Sequence, residues 1–152
     1  MSTPKTIVSR IIIEATSAKV WDALVNPEKT KIYMFGCETV SDWKVGSELL
    51  WRGSYEGVEM IFVKGHVVEI EPNSKLVYTT FDPNNPSIAD VPENYLTVTY
   101  SLSDEGGRIT LIVTQGDYSI VAEGERRYNE AYNNGEGWDP ILVEIKKLVE
   151  WK

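Results

Sequence analysis

The sequence predicts an α+β fold in which a curved antiparallel sheet of about six to seven strands wraps a long C-terminal helix. Three observations predict it. Period-two alternation of apolar and polar residues recurs between residues 38 and 115, and turn-forming residues separate the stretches. A helical period of apolar residues occupies the C-terminus. Between the first β-rich stretch and the alternating region lie two short segments divided by Asn26-Pro27.

Residues 7–13 are rich in β-branched side chains, as a strand requires. Ser17 then offers a hydroxyl cap, and Val20, Trp21, Leu24 and Val25 share one face of a short helix. Proline at 27 disfavours helical geometry at Asn26 but suits the first turn of a second short helix over residues 27–33. Candidate strands follow at 38–42, 47–53, 58–70, 76–81, 95–103 and 108–115. Their separators include Val45-Gly46-Ser47, Pro72-Asn73-Ser74 and Asp104-Glu105-Gly106-Gly107.

Alternation is clearest late in the meander. Leu96, Val98, Tyr100 and Leu102 face one way and Thr97, Thr99 and Ser101 the other. Ile109, Leu111 and Val113 oppose Thr110 and Thr114 in the same manner. One face of such a sheet is packed and the other wet. Trp138, Ile141, Leu142, Ile145, Leu148 and Val149 form the helical stripe that would cover the packed face. Gly135 and Gly137 precede it, and Pro140 fits only in its first turn. Residues 82–94 read as a loop rich in Pro, Asn and Asp, and residues 120–134 as a weak helix interrupted by Gly124.

Length and composition set the outer limits. The 152 residues suit a single domain, 1–152, with a sizeable core. Net charge is −8 and Lys and Arg form no cluster, which excludes a general affinity for nucleic acid or anionic membrane. Cys37 is the lone cysteine, so no internal disulfide exists. The N-terminus has no signal-peptide pattern, and its longest apolar run, Ile11-Ile12-Ile13, is far short of a membrane span. A cytoplasmic location is expected, and nothing sets the oligomeric state.

Five phrases carry a family resemblance. They are Lys19-Val20-Trp21-Asp22-Ala23-Leu24-Val25-Asn26-Pro27-Glu28, Ser41-Asp42-Trp43-Lys44-Val45-Gly46-Ser47, Lys64-Gly65-His66-Val67-Val68-Glu69-Ile70-Glu71-Pro72, Leu76-Val77-Tyr78-Thr79 and Gly137-Trp138. In that order they resemble the SRPBCC (START-like) superfamily, within it the homologues of the activator of the ninety-kilodalton heat-shock protein ATPase. The resemblance runs from about Ile7 to Trp151. It implies the helix-grip fold and a cavity between the sheet and the long helix. It also implies two other roles: an interaction module that stimulates a chaperone ATPase, and a cyclase- or aromatase-type enzyme.

Chemistry-bearing patterns are sparse. His66 is the only histidine and lies far from Cys37 in sequence, and no Gly-x-Ser-x-Gly elbow occurs. One His and one Cys are too few for zinc, and no loop has calcium-site spacing, so no metal is expected. No phosphate-binding glycine loop is present, and no cofactor is expected. Glu69 and Glu71 alternate with Val68 and Ile70 toward solvent, and Asp82, Asp90 and Glu93 sit in or beside the long loop. No catalytic residue is assigned. An enzyme of the cyclase type would use His66 or a tyrosine hydroxyl to move a proton.

The aromatic residues are the most informative feature, because five Trp and eight Tyr supply stiff surfaces with polar tips. Trp51, Phe62, His66, Tyr78, Tyr100 and Tyr118 are expected to border the cavity, with Trp138, Leu142 and Ile145 as its helix wall and residues 82–94 as a lid. The expected ligand is a small apolar or aromatic molecule.

Overall fold

A computed structural model of the chain describes residues 5–150. The sheet contains β1 (Ile7–Ile13), β2 (Glu38–Ser41), β3 (Glu48–Tyr55), β4 (Val58–Glu71), β5 (Lys75–Thr80), β6 (Leu96–Asp104) and β7 (Ile109–Gly116). All neighbours are antiparallel, in the order β1-β7-β6-β5-β4-β3-β2. Each expected strand therefore forms within a few residues of its predicted limits.

Between β1 and β2 run α1 (Ser17–Val25) and α2 (Pro27–Tyr33). The cap of α1 is Thr16 rather than Ser17: its extended backbone lets the side-chain oxygen accept from the Lys19 N–H at 3.3 Å, and Ser17 is already helical. Asn26 serves both helices. Its backbone N–H donates to the Asp22 carbonyl at 2.8 Å, and its side chain accepts from the Glu28 N–H at 3.0 Å. Two buried threonines fasten this corner to β2. Thr39 donates its hydroxyl to the Val25 carbonyl, and its N–H donates to the Thr30 hydroxyl.

The weakly helical stretch becomes α3 (Gly124–Tyr132), which begins at Gly124 instead of being broken there. The C-terminal α4 (Asp139–Glu150) buries Leu142, Ile145 and Val149 against the sheet. Burial of three such side chains contributes roughly 2 kcal/mol each. The polar side of α4 is fastened too: the Lys146 ammonium donates to the Ile12 carbonyl at 2.8 Å. Trp151, which the resemblance includes, lies outside the described residues.

The sheet is bent by two register shifts in β4. Trp51 pairs with Val63 and Arg52 with Ile61, leaving Phe62 as the extra residue. Val67 pairs with Tyr78 and Glu69 with Val77, leaving Val68 unpaired. At Gly65 the backbone of β5 passes so close that a Cβ would sit 1.7 Å from the Thr79 carbonyl oxygen. Only glycine allows this approach.

Candidate ligand site

The space between sheet and helices divides into a packed half and a hollow half. In the packed half, Leu142 and Ile145 of α4 belong to one core with Leu111, Val113 and Tyr100, all with almost no exposure. Tyr78 and Tyr100 close its upper edge, their hydroxyl oxygens 2.6 Å apart and their rings edge to face at 5.4 Å. Burial pushes both phenols above their ordinary range, so both are neutral acids at physiological pH. Trp138 packs edge to face on Tyr100 at 6.0 Å.

Above that aromatic floor lies a hollow of about 430 Å³. Its sheet wall comes from Trp51, Phe62, Val63, Tyr78, Leu96 and Val98. Met34, Phe35 and Cys37, which follow the short α2, supply a second wall. Phe35 stands at the rim with 86% of its surface exposed. Trp138, the residue before α4, also lines the hollow, and no residue of α4 itself does.

Four polar side chains also line the hollow: Thr80, Asp82, Gln115 and Arg127. The Trp138 indole N–H donates to Gln115 Oε1 at 2.9 Å. An indole nitrogen can only donate, so this bond sets the orientation of the Gln115 amide. Arg127 projects from α3 and donates to the Ala122 carbonyl at 3.2 Å and the Asn94 carbonyl at 3.1 Å. Burial holds its guanidinium below its usual basicity, although it stays a cation.

The other expected residues fall elsewhere. Tyr100, Leu142 and Ile145 belong to the packed half rather than the lining. Tyr118, in a 3-10 turn at Tyr118–Ile120, packs edge to face on Tyr128 at 5.7 Å. It lines a side pocket that also includes Asp82 and Arg127, and burial pushes its phenol up to about 12. His66 is on the outer face of the sheet. The extra residue at Val68 reverses the alternation there, so Val67 is fully buried while His66 and Val68 are exposed.

On that outer face His66 borders a separate polar cleft of about 390 Å³ with Glu48, Lys64, Thr79 and Tyr95. Its Nδ1 lies 3.1 Å from the Thr79 hydroxyl. Lys64 pairs with Asp90, and the Tyr95 hydroxyl donates to the same carboxylate at 2.6 Å. These two partners hold the Asp90 carboxyl below the usual range. Cys37 faces the hollow and His66 the outer cleft, so the sheet separates the two and His66 does not line the hollow.

The long loop is not a cover over the hollow. Only Asp82 lines it; Ile88 is buried, Asn84 donates to the Ile61 carbonyl, and Ser87 donates to Glu123. Gln115 continues the inward series Ile109, Leu111, Val113, so its position was readable as the one polar member. Thr80 likewise follows Tyr78 by two residues. Met34, Phe35 and Arg127 carried no such signal, because a helix end and a weak helix place them. Among the described residues no cluster of His, Cys, Asp or Glu could hold a metal, and no helix is long and apolar enough to cross a membrane.

Residues 14–150 match the family described as activator of Hsp90 ATPase homolog 1-like protein. No curated protein matches the chain. Among solved structures, ChR145 from Cytophaga hutchinsonii is 33% identical, with 99% of this chain and 97% of that one covered and a TM-score of 0.74. The Aha1 dimer from Colwellia psychrerythraea is 17% identical over 96% of each chain, with a TM-score of 0.67. DynU16, a protein in the dynemicin biosynthetic locus, is 13% identical over 98% of this chain and 48% of its own, with a TM-score of 0.70. The last two likenesses are of fold alone. With the family match spanning nearly the whole chain, and a relative one third identical end to end, the protein belongs to the activator of Hsp90 ATPase homolog 1-like family.

Proposed function

We propose that this protein binds a small apolar or aromatic molecule in the hollow above the Tyr78–Tyr100 pair. The observation that carries the reading is a space of about 430 Å³ whose walls are Trp51, Phe62, Val63, Leu96, Val98 and Met34. That volume is in the range of small-molecule sites, and mostly apolar walls with a few polar groups are their usual lining. Affinity would come from apolar burial, about 25 cal/mol per Å² removed from water, less the cost of immobilising the ligand.

Thr80→Trp tests it. Thr80 lines the hollow from a strand, a bulky aromatic there occupies the space, and β-propensity favours the change. Decanol and naphthalene are titrated while the Trp138 indole N–H resonance is followed by NMR. Saturable shifts in the wild type, lost in Thr80→Trp, support the reading. No shift with either probe in the wild type removes it.

A second reading, a module that acts on a chaperone ATPase, has support from the family description and from Ile32 and Phe35, two exposed apolar side chains at the end of α2. Its test is the ATPase rate of purified Hsp90 with and without the chain. An unchanged rate at saturating protein counts decisively against it.

A further inference from the structure

We propose that the molecule taken by the hollow is an acid, an apolar body ending in a carboxylate that docks on the Arg127 guanidinium and the Gln115 amide N–H₂. The inference rests on the reading that the hollow holds a ligand, and it specifies the head group that ligand carries.

The polar lining offers more donors than its neighbours use. Arg127 has five N–H groups in a planar fork. Two hydrogen bonds occupy it, both to backbone carbonyls, at Ala122 and Asn94. It forms no ion pair among the described residues. Glu123 and Glu130, on the same helix region, both pair with the neighbouring Arg126. Glu123 and Asp82 act on Arg127 only through space, without a direct bond, so most of its donors stay open to an acceptor brought in by a ligand.

Gln115 presents the same chemistry. Because Trp138 occupies its Oε1, the amide nitrogen and its two hydrogens are turned the other way, with no protein acceptor among the described residues. The ligand group that satisfies both sites must accept hydrogen bonds, and a carboxylate matches the guanidinium fork with two parallel bonds. Asp82 is the opposing charge in the lining. One of its oxygens, Oδ1, accepts from the Asn84 N–H at 2.8 Å, which anchors the start of the long loop. The lining therefore carries one cation and one anion, and the anion's Oδ1 is held in the turn that opens the long loop.

Decanoate and decanol share the alkyl chain and differ in the head group, so they separate this inference from the reading beneath it. Each is titrated at neutral pH and low salt, with the Trp138 indole N–H as reporter. Decanoate is expected to bind about tenfold more tightly than decanol, the contribution of charge-assisted hydrogen bonds. Arg127→Gln should bring the two within about twofold of each other. Because Arg127 also anchors Asn94, Gln115→Glu is the companion variant: it keeps an acceptor for Trp138 and adds a negative charge, and it should cancel the decanoate preference while decanol binding persists.

Equal binding of the two probes by the wild type, or a preference unchanged in Gln115→Glu, overturns the acid head group and leaves the apolar hollow standing. Binding of neither probe overturns both.

Discussion

Gly65→Ala is the substitution whose consequence the structure states most directly. A Cβ at Gly65 would lie 1.7 Å from the Thr79 carbonyl oxygen and 2.4 Å from its carbon. Ordinary contact requires more than 3 Å, so β4 and β5 must separate by roughly 1.5 Å. The separation breaks the paired hydrogen bonds between Lys64 and Phe81, at 2.9 and 2.8 Å, and the bond from the His66 N–H to the Thr79 hydroxyl at 3.0 Å. Three bonds at about 1 kcal/mol each, plus about 1–2 kcal/mol of strain, give a destabilisation of about 4–5 kcal/mol. For a domain of this size that lowers Tm by about 10–15 °C.

Gly46→Ala is the control. Gly46 has φ of +88° but open space around it, so alanine there should cost only about 1–2 kcal/mol of backbone strain. Urea unfolding followed by far-ultraviolet circular dichroism measures both. If Gly65→Ala is no more destabilising than Gly46→Ala, the close crossing of β4 and β5 is wrong.

Two further expectations concern stability. Tyr78→Phe and Tyr100→Phe each remove one side of a buried 2.6 Å hydroxyl pair and should each cost about 1–2 kcal/mol; the double variant should cost less than their sum in urea unfolding. The carboxyls of Asp90, Asp117, Glu123 and Glu150 are all held below their ordinary values of 3.8 and 4.5, chiefly by hydrogen bonds to Lys64, Ser119, Arg126 and Lys146. For a lowered carboxyl the stabilisation is present above the unfolded value and is lost as pH falls through the folded one. Stability should thus be flat near neutrality and decline below about pH 4, and a thermal scan showing increased stability on acidification would contradict these pairings.

What was legible in the sequence was whatever repeats along a regular element. The inward series Leu96, Val98, Tyr100 and Ile109, Leu111, Val113 was readable from alternation, and so was the α4 stripe of Leu142, Ile145 and Val149. The errors at the site arise where regularity is interrupted. Counting by twos along residues 66–70 places His66 beside Ile70, but one extra residue at Val68 turns His66 outward. Leu142 and Ile145 were correctly placed on the inner stripe, yet whether an inward residue borders empty space or another side chain depends on packing that no single strand encodes. Phe35 and Arg127 enter the site through tertiary placement of a helix end and a polar helix.

The two-part interior has a consequence for how such a protein can diversify. Because close packing under α4 anchors the fold, lining residues outside that packing, such as Phe35 and Thr80, can be exchanged without disturbing that foundation. The shape and polarity of the hollow can then change through a few swaps near the rim, each leaving the architecture below it intact.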